Sequence, residues 1–166
     1  MCGRVLVAYA SKHGSTREIA EEIGRVLRDG GFDAEVAEAR LVSDVAAYGA
    51  VVLGSALYAA HWQRDANRFV ARHLAALRTR PVWLFSTGPL DRSADAGLLP
   101  APPSVAITTD PIGARGHRVF GGRLLADTPG LDPQVLATHP VGDFRDWDAI
   151  RAWAAGIAAA LVSPAP

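Results

Sequence analysis

Short apolar runs alternate along the chain with longer segments in which apolar residues recur every three or four positions. The short runs are rich in β-branched residues and nearly free of charge, which is typical of strands buried on both faces of a sheet. They occupy residues 4–9, 50–53, 82–85 and 117–120, and residues 33–39 predict a more polar edge strand. We expect Gly54 to end the run at 50–53.

The segments with helical spacing predict three amphipathic helices. Ile19, Ile23, Val26 and Leu27 mark the first, which Gly30 and Gly31 should end. The second and third are marked by Ala66, Phe69, Val70, Leu74 and Leu77, and by Ile150, Trp153, Ala154, Ile157 and Leu161. Asp146 stands at the position expected of an N-cap for the third helix.

Three other segments give a weaker signal. Residues 40–49 are long enough for a helical crossover between parallel strands. Residues 91–116 are rich in proline, glycine and alanine, and Pro111 opposes anything beyond a short helix over 104–114. Residues 124–144 predict a long loop.

Buried strands alternating with helices predict an α/β fold, a parallel sheet covered on both sides, in a single domain over residues 1–166.

Composition narrows the classes of function. Seventeen basic and seventeen acidic residues cancel, so nothing favours binding to nucleic acid or an anionic membrane. The longest uncharged apolar run, 152–162, falls short of the roughly 18 residues of a membrane span, and no signal peptide is evident. We therefore expect a cytoplasmic protein. One cysteine and five widely spaced histidines predict neither a disulfide nor a metal site.

The strongest chemical signal lies in residues 11–16, between the first strand and the first helix. Ser11, Ser15 and Thr16 supply hydroxyls, and Gly14 lets the backbone approach a ligand closely. A helix start also offers unpaired amides and the positive end of the dipole, so this loop could hold a phosphate. The alternative is a capping box, in which Ser15 and Glu18 satisfy the helix start without a ligand.

Several classes of protein can be set aside. Neither the Walker phosphate loop nor the dinucleotide fingerprint is present. A receiver-type signalling domain would need acidic residues after the first strand, where Ala10 and Ser11 stand, and a phosphoacceptor aspartate near Gly54 and Ser55. A small phosphatase would need a cysteine nucleophile in the first loop, which has none.

The first strand and loop, VLVAYASKHGST, resemble the flavodoxin family, whose [ST]-x-x-G-x-T pattern is matched by Ser11, Gly14 and Thr16. The stretches GSALYAAHWQRDANRFV, STGPL, VFGGRL and GDFRDWDAIRAWA are similar to flavodoxin-like proteins related to menaquinone-dependent protoporphyrinogen oxidase. The resemblance implies a flavodoxin-like three-layer sandwich with a five-stranded parallel sheet of order 2-1-3-4-5. It also implies FMN at the carboxyl ends of the strands.

The resemblance assigns three loops to FMN. The phosphate would be held by Ser11, Lys12, His13, Gly14, Ser15 and Thr16. The ring would be held by Ser55, Ala56, Leu57, Tyr58 and Trp62 of the second loop, with Tyr58 and Trp62 as flat surfaces, and by Ser86, Thr87, Gly88 and Pro89 of the third loop. The third loop, residues 86–93, can supply backbone N–H groups to the ring, and Gly88 would permit the close approach. Flavodoxins usually carry an aromatic residue in the third loop, where this chain has Leu90. His61 is the best candidate acid or base.

The resemblance implies an FMN-binding redox protein that serves in electron transfer or as a small-molecule oxidoreductase of the protoporphyrinogen oxidase-like flavodoxin type. Its partner would be a redox protein or a small-molecule or quinone acceptor, and the zero net charge favours the small molecule. Residues 123–145 are short and carry few charges, so they support neither membrane nor quinone docking. The alternative is an interaction module on the same fold that has lost tight flavin binding.

Overall fold

The computed structural model describes residues 3–163, and its centre is a parallel β-sheet. Its strands are β1 (Arg4–Ala10), β2 (Asp33–Glu38), β3 (Ala50–Tyr58), β4 (His61–Trp62), β5 (Val82–Thr87) and β6 (Gly116–Phe120). The parallel strands follow the order β2-β1-β3-β5-β6, and the two-residue β4 pairs antiparallel with β3. Counted without β4, this is the predicted order 2-1-3-4-5.

The remaining elements cover the sheet and its carboxyl edge. They are α1 (Ser15–Asp29), α2 (Arg64–Leu77), α3 (Pro103–Thr109), β7 (Arg123–Leu124), α4 (Pro133–Thr138), β8 (Gly142–Asp143) and α5 (Trp147–Val162). β7 and β8 form a small antiparallel pair. The predicted cap of the last helix is confirmed, because the Asp146 carboxylate accepts the Ala149 amide at 3.0 Å. Within residues 3–163, no helix combines the length and apolarity needed to cross a bilayer.

Alternation along β1, an inner strand of the sheet, explains the three layers. Val5 and Val7 of β1 lie in one buried cluster with residues of α1 and α5. Leu6 and Ala8 lie in a second cluster, on the opposite face, with residues of α2. Because successive side chains of a strand point to opposite faces, a strand without polar positions must be covered on both sides. The three-layer α/β sandwich is thereby confirmed.

Two of the sequence predictions are wrong, and a third segment differs from what its length allowed. Gly54 does not end its strand: β3 continues to Tyr58, and Gly54 instead makes room for the neighbouring ring, since a Cβ there would lie 2.0 Å from Phe85 Cζ. Residues 124–144 are not one long loop, because they contain α4 and β8. Residues 40–49 form no crossover helix, only the end of a 3-10 turn, Ala39–Leu41.

Candidate functional site

The carboxyl ends of the parallel strands meet at one edge of the sheet. Ser55 pairs in register with Ala10 and with Ser86, and Thr87 pairs with Ala56 and Phe120. The loops that follow these strands border a cavity of about 540 Å³, which falls in the range typical of small-molecule sites. Its lining comprises Ser11, Lys12, His13, Ser15, Thr16, Ala56, Leu57, Tyr58, Ala59, Ala60, Thr87, Gly88, Pro89, Leu90, Pro102, Gly122, Arg123, Leu124, Leu131, Val135 and His139.

The first loop forms the polar end of this cavity. Gly14 stands at the N-cap of α1 with φ 88°, a left-handed conformation that favours glycine, and no side chain of residues 3–163 caps the helix. Ser11 Oγ accepts the Gly14 amide at 3.0 Å. The Ser15 hydroxyl is inaccessible to solvent and has no hydrogen-bond partner among the described residues. A buried hydroxyl without a partner is costly unless a ligand satisfies it.

The capping-box alternative is wrong because Glu18 is engaged elsewhere. Its carboxylate accepts hydrogen bonds from Arg145 at 2.7 Å and from Arg123 at 3.2 Å. Burial raises the pKa of Glu18, but the Arg145 hydrogen bond and the charges of both arginines outweigh it and lower that pKa overall. Arg145, only 4% exposed, also holds Asp143 at 2.7 Å. This network ties the start of α1 to the β7–β8 segment.

The second loop is a tight hairpin that presents one aromatic ring. Ala59 and Ala60 have φ of 49° and 63°, and they join β3 to β4. Tyr58 lines the cavity and is 43% exposed, with the His13 ring 6.5 Å away and Lys12 Nζ 5.8 Å from its centroid. Burial raises the pKa of its phenol. His61 is exposed and does not line the cavity.

Trp62 does not provide the second flat surface predicted for it. Its side chain is 4% exposed and packs in the cluster that includes Phe69 and Leu84, because its indole N–H finds a buried partner in Ser86 Oγ at 2.8 Å. Ser86 is buried beneath the cavity. Ser55 is buried as well, and its hydroxyl accepts the Gln63 amide at 3.0 Å. These three predicted residues therefore lie behind the cavity lining.

The third loop is fixed to both of its neighbours. Thr87 Oγ1 and Thr16 Oγ1 are 2.7 Å apart and buried, so a hydroxyl pair joins the first loop to the third. The Gly88 amide, expected to face the ring, instead donates to Phe120 O at 3.2 Å. Gly88 allows close packing, since a Cβ there would lie 2.8 Å from Leu57 Cβ. Pro89 and Leu90 complete this wall without an aromatic ring.

Sequence reasoning missed a fourth wall of the cavity. It is formed mainly by residues after the last parallel strand, namely Gly122, Arg123, Leu124, Leu131, Val135 and His139. The signal that could have found it is the pair Gly121 and Gly122, directly after that strand. A Cβ on Gly121 would lie 2.0 Å from Phe144 O, so only glycine lets the two segments pack so closely.

Comparison with known proteins decides the family. The flavodoxin domain matches residues 6–128, which is most of the chain. The chain belongs to the flavodoxin family. Flavodoxins are FMN-binding flavoproteins, as the resemblance implied. The family and its structural neighbours support a redox function of the FMN type.

Structural neighbours confirm the fold. A flavodoxin from the domain Archaea superimposes with a TM-score of 0.65 at 16% identity, covering 96% of this chain and 99% of that one. Rubredoxin oxygen:oxidoreductase from Desulfovibrio gigas gives 0.65 at 15% identity, covering 95% of this chain but 36% of that one.

A curated relative is similar to part of the chain. Protoporphyrinogen IX dehydrogenase [quinone] of Escherichia coli K12 is 26% identical over 94 residues, which are 55% of this chain and 52% of that protein. The match therefore spans about half the length of the relative.

The cavity fits FMN in the chemistry of its donors. The partnerless Ser15 hydroxyl and the uncapped start of α1 suit a phosphate, while Leu57, Tyr58 and Pro89 offer apolar surface to a flat ring. The lining includes eleven of the fifteen predicted residues; Gly14 forms the backbone of the first loop, and Ser55, Trp62 and Ser86 lie behind the wall.

Proposed function

We propose that this protein binds FMN in the 540 Å³ cavity and acts as a small-molecule oxidoreductase. The single observation that carries the proposal is the partnerless, solvent-inaccessible Ser15 hydroxyl at the uncapped start of α1, at one end of a largely apolar cavity. When bound, FMN would supply the electron chemistry. The chain would supply binding, orientation and exclusion of water. We also propose that the protein is cytoplasmic, as its sequence predicts.

The first loop would hold the phosphate end. Lys12, His13, Ser15 and the amides of the first turn of α1 would do so, while Ser11 and Gly14 shape the loop. In the protein without a ligand, the desolvation of His13 and the charge of Lys12 lower the pKa of the His13 imidazole. Lys12 and Arg123 place positively charged groups at this end of the cavity.

The second and third loops would hold the ring. Ala56, Leu57 and Tyr58 lie on one side of the lining, and Thr87, Gly88 and Pro89 on another. Trp62, Ser55 and Ser86 would act indirectly, because their hydrogen bonds fix the strands on which those loops stand. An apolar environment disfavours the more negative reduced form of a flavin, so this wall would tune the potential.

The fourth wall favours a small molecule over a protein as the acceptor. Leu124, Leu131 and Val135 add apolar surface beyond the three flavin loops. A simple electron carrier needs only one exposed edge of its cofactor, whereas an oxidoreductase also needs room beside the cofactor for its substrate. The partial similarity to protoporphyrinogen IX dehydrogenase [quinone] is consistent with a quinone acceptor. The 123–145 segment thus contributes to the site, although its sequence alone did not support quinone docking.

A flavin titration tests the proposal. Quenching of flavin fluorescence should show tighter binding of FMN than of riboflavin by the wild-type protein. Ser15→Ala should weaken FMN about tenfold or more, because a hydrogen bond to a charged group contributes about 1.5–3 kcal/mol. Riboflavin, which lacks the phosphate, should change little.

Ser43→Ala is the matched control, since Ser43 is exposed and does not line the cavity. It should leave both affinities unchanged. If the wild-type protein quenches neither flavin, the redox proposal is wrong and the interaction-module alternative is favoured.

A further inference from the structure

A basic side chain from late in the chain borders the cavity beside the first loop. Arg123, at the start of β7, lines the 540 Å³ cavity and a neighbouring cavity of about 330 Å³. His13 and Ser15 are the two other residues common to both linings. These three residues therefore stand where the two cavities meet, beside the start of α1.

The backbone before Arg123 is held firmly against the third loop. The Gly122 amide donates to Pro89 O at 2.9 Å, and the Phe144 amide donates to Gly122 O at 2.9 Å. A Cβ on Gly122 would lie 3.4 Å from Gly88 Cα, so the two segments are in van der Waals contact. The backbone position of Arg123 is thus fixed by hydrogen bonds on both sides, which is the preorganisation that a binding residue needs.

The Arg123 side chain keeps hydrogen-bonding capacity for a ligand. It is 19% exposed, and its Nη1 contacts both Glu18 oxygens at 3.2 Å. A guanidinium has five N–H groups, and within residues 3–163 only those on Nη1 make a side-chain hydrogen bond. Glu18 is also bound to Arg145 at 2.7 Å. Arg145 in turn holds Asp143 at 2.7 Å, so two guanidinium groups face two carboxylates and this cluster carries no net charge. What Arg123 offers a ligand is therefore its Nε and Nη2 donors rather than an excess of charge.

We propose that Arg123 is a specificity-determining residue that selects a flavin bearing a phosphate monoester. The inference rests on the proposed function. A phosphate monoester carries a charge of about −1.5 to −2 at neutral pH, and arginine binds such groups with paired N–H donors. The Nε and Nη2 groups of Arg123 bind the phosphate together with the Ser15 hydroxyl and the first amides of α1. Riboflavin has no such group and does not sense Arg123.

Paired titrations test this assignment. Arg123→Met keeps the length of the side chain and removes its donors, and it should raise the Kd for FMN about ten- to a hundredfold, the loss expected for a charge-assisted hydrogen bond. The Kd for riboflavin should change less than about twofold, since that contact is absent. Arg123→Lys, which keeps the charge without the paired donors, should fall between wild type and Arg123→Met for FMN.

Arg151→Met is the matched control. Arg151 also pairs with a glutamate of α1, Glu22 at 2.8 Å, but it is 47% exposed and does not line either cavity. It should leave both affinities at their wild-type values. Inorganic phosphate should compete with FMN for the wild-type protein and much less for Arg123→Met. Circular dichroism and thermal melting establish that each variant is folded.

The results of these titrations distinguish failure of this inference from failure of the proposed function. If wild-type protein binds FMN but Arg123→Met leaves its affinity unchanged, Arg123 has no role in selection. If FMN and riboflavin weaken equally, Arg123 only supports the shape of the cavity, and the inference is again overturned. Should Arg123→Met fail to fold, Arg123→Lys decides by the same comparison. Failure of the wild-type protein to bind either flavin would refute the proposed function and, with it, this inference.

Discussion

Three side chains beneath the cavity form a continuous hydrogen-bonded chain. Trp62 Nε1 donates to Ser86 Oγ at 2.8 Å, and Ser86 Oγ lies 2.8 Å from His117 Nε2. Because Ser86 accepts from the indole, its own proton can point to a neutral His117 ring. Burial lowers the pKa of His117 to about 4, so the folded protein keeps this imidazole neutral well below the ordinary value of about 6.5.

This pKa makes stability depend on pH. Between about pH 6.5 and pH 4 the unfolded chain binds a proton at His117 and the folded chain does not, so stability falls as the pH falls through that window. Thermal melts at pH 7.0, 6.0 and 5.0 should show wild-type stability declining relative to His117→Gln, which cannot titrate. The difference should be at most about 1.4 kcal/mol per pH unit, and smaller because solvent reaches part of the ring. Parallel melting curves for the two proteins would contradict the assignment.

At the residue scale, sequence reasoning succeeded where a side chain acts locally and failed where it needs a distant partner. Asp146 caps the helix that begins beside it, as local spacing predicted. Trp62 has an aromatic ring suited to a flavin, yet it is buried because Ser86 offers its indole a hydrogen bond. Ser86 stands far along the chain, so nothing near Trp62 in the sequence indicates that bond.

At the element scale, the β3–β4 hairpin is built with unfavourable residues. Two-residue hairpin turns with positive φ at both positions favour Asn-Gly, and here Ala59 and Ala60 adopt φ of 49° and 63°. Each alanine in the left-handed region costs roughly 1–2 kcal/mol. The turn is also tied to the start of α3, where Ser104 Oγ donates to Ala60 O at 2.7 Å. The strain is held at the rim of the cavity, beside Tyr58.

Ala60→Gly should therefore stabilise the protein, by about 0.5–1.5 kcal/mol, because glycine adopts positive φ without the Cβ clash. Ala155→Gly is the opposite control: Ala155 is exposed in the middle of α5, where glycine costs about 1 kcal/mol. Denaturant unfolding measures both changes. Equal destabilisation by the two substitutions would show that the hairpin is not strained.

Some of the elements could be predicted from the sequence, and others could not. The parallel strands and the three long helices followed from apolar periodicity, since each buries a regular face. The crossover at 40–49 and the small elements after Gly122 could not be predicted in this way. Their few residues bury little surface of their own, and α4 has no fully buried residue. They are positioned instead by long-range contacts such as the bond of Arg145 to Glu18.

At the scale of the whole molecule, charge balance bears on the choice of redox partner. Seventeen basic and seventeen acidic residues give a net charge of zero, so long-range steering of a charged protein partner is weak. An electron carrier that meets charged proteins normally associates faster at low ionic strength. In the function proposed above, the fourth wall of the cavity, with Leu124, Leu131 and Val135, would offer apolar surface to an uncharged small acceptor instead.

The reoxidation rate of the reduced, FMN-loaded protein should therefore depend little on salt when the acceptor is a neutral quinone. We expect less than about a twofold change between about 20 and 300 mM sodium chloride, because no pair of net charges is being screened. Stopped-flow absorbance of the flavin measures this rate directly, and a charged protein acceptor such as a cytochrome serves as the comparison. Leu131→Asp, at the fourth wall, should slow the quinone reaction while leaving that with the protein acceptor nearly unchanged. If the cytochrome reacts faster than the quinone, and its rate falls steeply with salt, the protein is an electron carrier and the apolar wall has another purpose.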